Sequence, residues 1–131
     1  MLDHVAVNVG DVEASRSFYV GALEPLGIKP ILEFEGLAAG FGDDKKPYFW
    51  IDKRDPVTPS AHVAFECPNH QTVQAFHAAA LAAGGRDNGA PGPRKYHEHY
   101  YGAFVLDPDG NNIEAVCHRP VEGWARPPAG D

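Results

Sequence analysis

The chain repeats itself at a spacing of 58 residues. His4-Val5-Ala6 returns as His62-Val63-Ala64, Phe18 as Phe76, Ala22-Leu23 as Ala80-Leu81, and Gly27 as Gly85. Chance supplies one or two such matches, not seven, so the sequence reads as two copies of one supersecondary unit. With 131 residues there is room for one core and not for two independent ones. The copies must therefore share it. DKRDPVTPS at 52–60 is charged, carries two prolines and suits an exposed connection. The expected division is module 1 over 1–54, a linker over 55–59, module 2 over 60–118, and a C-terminal tail over 119–131 anchored by Trp124.

Periodicity changes in the same order within each copy. LDHVAVNV and AHVAFEC alternate with period two, as strands do. Asp11 and Asn69 then stand where a helix needs an N-cap. Phe18, Ala22 and Leu26 form one apolar stripe, Val73, Phe76 and Ala80 the other, and Gly27 and Gly84-Gly85 terminate them. ILEFEG, LAAGFGDD and PYFWID follow in the first copy; YYGAFVL, the turn Asp107-Pro108-Asp109-Gly110 and NIEAVC follow in the second. The expected class is α+β, a βαβββ unit used twice. Over 86–99, RDNGAPGPRKYHEH, loop residues crowd out any pattern.

Strand alternation assigns faces. Val5, Val7 and Val9 share one face and His4, Ala6 and Asn8 the other. Val63, Phe65 and Cys67 oppose His62, Ala64 and Glu66; Ile113, Ala115 and Cys117 oppose Asn112, Glu114 and Val116. If the second faces curve toward one another, His4, His62 and Glu114 converge. Two imidazoles and a carboxylate suit a divalent transition metal with open coordination positions. A cation also offsets the cost of enclosing the carboxylate. A buried hydrogen-bonded His/Glu cluster without metal is the competing reading.

Composition narrows the partners. Hydrophobic residues make up 44% and charged ones 22%, as in ordinary globular proteins. The net charge of −7 leaves no basic patch for nucleic acid or anionic membranes. No apolar run reaches membrane-spanning length, and MLDHVAVNV lacks the basic start of a signal peptide, so the expected location is cytoplasmic. Cys67 and Cys117 form no spacing motif and read as reduced core thiols, with a disulfide as the other reading.

Modules opening in HVAV and HVAF, with FY and FH in the helices and a closing DPDGNNIE, resemble the vicinal oxygen chelate superfamily over roughly residues 2–118. That family holds glyoxalase I, fosfomycin-resistance thiol transferases, extradiol dioxygenases, methylmalonyl-CoA epimerase and the metal-free bleomycin-resistance proteins. The resemblance implies a cup-shaped mixed sheet made of two βαβββ modules, often a homodimer. It also implies a divalent ion (Fe, Mn, Zn, Ni or Co) on the cup floor and a small substrate with vicinal oxygens.

The family's metal positions fall on His4, His62 and Glu114. The remaining one falls on Trp50, which has no metal-binding atom, where glyoxalase I carries a glutamate. His97, Asp107, Pro108, Gly110 and Glu114 match the dioxygenase signature, with Phe104 in its tyrosine position. No cationic set for a phosphonate stands out beyond Arg94, Lys95 and Arg119.

The residues and the resemblance together lead to a metal-dependent enzyme of lyase, isomerase or dioxygenase type. His97 and Glu114 are its catalytic candidates. Trp50, Asn8, Glu66, His99, Tyr100, Tyr101 and Phe104 are its pocket candidates, and a regular strand lets only one of Tyr100 and Tyr101 face inward. The alternative is a metal-free binding protein that sequesters an aromatic or antibiotic-like ligand.

Overall fold

The computed structural model describes residues 1–120; the expected tail beyond Pro120, with Trp124, lies outside the described residues. In the first copy the order is β1 (Val5–Val9), α1 (Val12–Leu23), β2 (Lys29–Phe34), β3 (Ala38–Gly42) and β4 (Phe49–Lys53). In the second it is β5 (His62–Glu66), α2 (His70–Ala82), β6 (Arg86–Pro93), β7 (Tyr101–Leu106) and β8 (Asn112–Cys117). The sheets have identical topology, β1-β4-β3-β2 and β5-β8-β7-β6. In each, the first and last strands of the module pair in parallel and the other pairs are antiparallel.

The helix boundaries follow from the residues that cap them. The Asp11 carboxylate accepts from the amides of Glu13 and Ala14, and Asn69 Oδ1 accepts from Thr72 N at 2.8 Å. Gly27, in the left-handed region at φ 74°, closes the turn after α1. Gly85 is needed for a different reason: a Cβ there would lie 2.4 Å from Val105 Cγ1 and 2.6 Å from Phe18 Cε1. The first module's helix thus packs against the second module's helix, with Phe18 over the turn that ends it.

The core is common to both modules. Val7, Val9, Phe41 and Ile51 of the first sheet join Phe65, Val105, Ile113 and Ala115 of the second in one buried cluster. Phe49 meets Tyr19 edge-on at 5.0 Å and Phe65 at 5.4 Å, bridging the modules. The helix-facing sides of both sheets are therefore consumed by one interior. Their opposite sides, which carry the ionisable residues, face away from it.

Residues 86–93, where the sequence offers no pattern, form β6. It lies at the sheet margin and pairs with β7 through two register shifts, between Asp87 and Gly89 and between Gly89 and Gly92. Pro91 and Pro93 are tolerated there because an edge strand leaves one row of amides unpaired. The bulges break the alternation by which a strand is recognised.

Candidate functional site

The strand face opposite α2 carries the most developed polar arrangement. Glu114, in the middle of β8, is 1% exposed. Its Oε1 lies 2.8 Å from His62 Nε2, and its Oε2 accepts from the Tyr100 hydroxyl. Parallel pairing of β5 with β8 sets Ala64 opposite Glu114, and His62, two residues earlier, leans across to it. Gly102 makes room for the tyrosine: a Cβ there would lie 3.2 Å from Glu114 Oε2 and 3.3 Å from the Tyr100 ring. Both carboxylate oxygens are partnered, as a buried acid requires. Burial first, and then the neighbouring Glu114 carboxylate, push the Tyr100 phenol well above its ordinary range.

Tyr100 and Tyr101 are divided as alternation demands. Tyr101 turns toward α2, where its oxygen accepts from Gln74 Nε2 at 2.9 Å and its ring stacks on His70 at 4.2 Å. Tyr100 takes the site side. Its ring is edge-on to His97 at 4.9 Å, and His97 stacks on His118 at 5.1 Å. His97 is exposed and stands one ring away from Glu114. Its Nδ1 lies 3.3 Å from the Glu98 carbonyl oxygen. His118 went unread in the sequence, although it continues the alternation of β8 one step past Val116 on the same face.

Phe104 is registered opposite Glu114 and lies 6.0 Å from the His62 ring. His99 adopts a left-handed backbone at φ 59°, and its Nε2 lies 3.2 Å from Glu98 Oε1. It sits in the loop and not on the sheet face. Glu66 is exposed, and it borders a groove of about 500 Å³ that also touches His4 and His62.

The first sheet holds the other candidates. His4 pairs with Asp3 at 2.7 Å, and Asp3 also binds Lys46; the hydrogen bond from Lys46, and then that with His4, hold the Asp3 carboxyl below its ordinary range. Trp50 stacks on Phe34 with ring centroids 6.4 Å apart, over Gly40. The Asn8 amide binds the Pro56 carbonyl at 3.1 Å, and its backbone N–H donates to Thr58 Oγ1 at 2.6 Å, pinning the linker. Among the described residues, no three of His, Cys, Asp or Glu gather as a metal cluster. His62 and Glu114 meet; His4 stays on the other sheet. His4 and His62 nonetheless border the same groove.

Cys67 and Cys117 are free and buried, and burial raises the Cys67 thiol to about 11. No helix among the described residues is long and apolar enough to cross a membrane.

Comparisons with known proteins agree with this architecture. The crystal structure of a glyoxalase/bleomycin resistance protein from Albidiferax ferrireducens T118 matches with 34% identity and a TM-score of 0.77, over 92% of this chain and 99% of that one. A glyoxalase-related enzyme from Fulvimarina pelagi, 20% identical, superposes with a TM-score of 0.69 over 89% of this chain and 87% of that one. Lactoylglutathione lyase from Agrobacterium tumefaciens, 15% identical, gives 0.66 over 89% and 92%. These last two show the fold alone. No curated protein matches the chain. The model of one family matches residues 1–115. With two βαβββ modules, a third of its residues shared with a glyoxalase/bleomycin resistance protein, and that match over most of its length, the chain belongs to the Glyoxalase/Bleomycin resistance protein/Dioxygenase superfamily.

Proposed function

We propose that the protein is a metal-dependent enzyme acting on a small substrate with vicinal oxygens, by lyase, isomerase or dioxygenase-type chemistry. One observation carries this reading: His62 Nε2 and Glu114 Oε1 stand 2.8 Å apart around a carboxylate that is 1% exposed. An imidazole nitrogen and a carboxylate oxygen this close would together hold a divalent ion in place of the hydrogen bond that now joins them. When bound, such an ion supplies Lewis acidity to the substrate's adjacent oxygens. Tyr100 holds Oε2 of Glu114, so Oε1 is the oxygen presented beside His62. His97, one ring from the carboxylate, is the group for proton transfer. Trp50 in the remaining family position argues against glyoxalase I activity itself.

The third ligand, His4, comes in this reading from a second copy of the chain. His4 is 57% exposed, and Leu32 and Phe34 on its sheet are 46% and 52% exposed. Laying that sheet face over the partner's His62/Glu114 face completes the ligand set and covers the apolar patch. The protein is thus a homodimer with composite sites. Two free buried thiols support a reducing, cytoplasmic setting.

Metal analysis of the purified protein, with its sedimentation behaviour, tests the proposal. A dimer with one divalent ion per chain, lost in His62→Ala and weakened in His4→Ala, is expected. A metal-free wild type that binds small aromatics would overturn it. That outcome would favour a sequestering protein, for which the exposed Phe34–Trp50 stack is the supporting observation.

A further inference from the structure

Beside the His62/Glu114 pair lies a second cavity, of about 260 Å³, bordered by Asn88, Gly89, Arg94, Tyr96, Phe104 and Asn112. Cavities that enclose a whole small ligand run to roughly 300–1,000 Å³, so this one suits one end of a molecule. Its cation is held in an unusual way. Arg94 Nη1 donates to the carbonyls of Gly92 at 2.9 Å and Pro93 at 3.3 Å, and Nη2 donates to Ala90 O at 2.7 Å. The guanidinium also lies over the Phe104 ring, 5.3 Å from its centroid. Among the described residues, no carboxylate forms an ion pair with Arg94, whereas Arg16 has Glu33 and Lys46 has Asp3.

A guanidinium has five N–H donors. Three hydrogen bonds go to carbonyls, which by count leaves Nε–H and one N–H of Nη2 for an oxyanion. The bonds to β6 fix the side chain before any ligand arrives, so little rotamer freedom is lost on binding. The backbone is shaped to allow this. Gly89 has φ 154°, and a Cβ there would lie 2.9 Å from Phe104 Cδ1 and 3.1 Å from Arg94 Nη2. The Asn88 amide binds Asn112 Oδ1 at 3.1 Å.

Register connects the cavity to the neighbouring pair. Asn112 is opposite His62, and Phe104 lies between Glu114 on one side and Gly89 on the other. Two strand spacings of about 4.8 Å separate Glu114 from the margin that Arg94 clasps. We infer that Arg94 and this cavity anchor the anionic end, a carboxylate or phosphonate, of an apolar substrate that rests against exposed Tyr96 and the uncovered edge of buried Phe104. The inference deepens the proposed reaction by naming a substrate class, an apolar acid, and it rests on that reading for the position of the reacting end. The anion site itself stands without it.

The test is a titration of ¹⁵N-labelled protein with sodium benzoate, phenylphosphonate and neutral benzyl alcohol, following the Arg94 Nε–H and Gly89 amide resonances. Saturable shifts with either acid and none with the alcohol are expected, and the stronger acid identifies the headgroup. Losing a charge-assisted bidentate contact weakens binding about tenfold or more, which is the expected effect of Arg94→Gln, with Arg94→Lys between. Because Arg94→Gln also unclasps β6, Asn112→Leu serves as a second variant. It narrows the cavity and removes a polar wall group, leaves the guanidinium in place, and should weaken benzoate likewise.

Equal binding of benzyl alcohol, or benzoate affinity unchanged in both variants, would overturn the anion site. His62→Ala separates the two proposals. Lost metal with retained benzoate binding upholds both. A metal-free wild type that binds benzoate at Arg94 sinks the metal reading alone, and a metal-loaded protein indifferent to both acids sinks this one alone.

Discussion

Tyr19, on the helix of the first module, donates its hydroxyl hydrogen to the carboxylate of Asp107 in the last turn of the second. Both are buried, and burial first, then that carboxylate, raises the Tyr19 phenol well above its ordinary range. Asp107 does more than meet the tyrosine. It accepts from the Asp109 and Asn111 amides at 3.0 and 2.8 Å and from Asn111 Nδ2 at 3.0 Å. Asn111 Oδ1 in turn accepts from Ala61 N, one residue before His62. Asp107 and Asn111 of the DPDGNN motif therefore form a buried polar joint that ties the modules together and sets where β5 begins beside β8.

Removing the hydroxyl in Tyr19→Phe leaves a buried acceptor one bond short and should cost about 1–3 kcal/mol. Asp107→Ala strands Tyr19 and Asn111 together and should cost about 3–4 kcal/mol. Urea denaturation measures both. A loss in Asp107→Ala no larger than that in Tyr19→Phe would show that the turn contributes nothing beyond the tyrosine contact.

Phe49 is the aromatic bridge between the two halves of the core. Phe49→Ala opens a cavity against Tyr19, Phe41 and Phe65 and should cost about 3–5 kcal/mol. Because those contacts span both modules, unfolding should stay a single transition at a lower midpoint. Two separated transitions in calorimetry would contradict a shared core.

Stability should fall in alkali. Burial, and after it Asp43, push Tyr48 up to about 12, and Tyr19 is raised as well. In the unfolded chain both titrate near pH 10. The native state then keeps protons that the unfolded state loses, so this stabilisation is complete below about pH 10 and declines as pH rises toward about 12 for Tyr48. Urea midpoints should drop between about pH 10 and about pH 12, and less steeply in Tyr48→Phe. A midpoint flat across that interval would refute the assignment.

Gly40 keeps the outer face of the first sheet open for Trp50. A Cβ there would lie 2.7 Å from two ring carbons of Trp50 and 2.8 Å from Pro47 Cβ. Gly40→Ala should displace the indole from Phe34, at a cost of about 1–3 kcal/mol. Tryptophan emission in a Trp124→Phe background reports the displacement, and an unshifted spectrum would argue that the ring has room to spare.

What the sequence alone determined is what depends on local pattern. The repeat made the two βαβββ modules legible. Alternation separated Val7, Phe65 and Ile113 from His62 and Glu114, and the caps at Asp11 and Asn69 followed from side-chain chemistry. Those signals survive because period and capping act over a few residues. Tertiary structure decided the rest.

β6 was illegible because its bulges and prolines erase the period, and an edge strand needs only one partner to form. Alternation required Tyr100 and Tyr101 to diverge, but which one reached Glu114 depended on where β7 pairs with β8. Arg94 became a candidate anchor only when β6 folded back and left three carbonyls within its reach. His4 was read beside His62 and Glu114 because equivalent positions in a repeat share a face, not because they share a place. Glu114 is buried under its partners, whereas His4 lies beside an exposed aspartate. One chain therefore brings His62 to Glu114 and leaves His4 with Asp3.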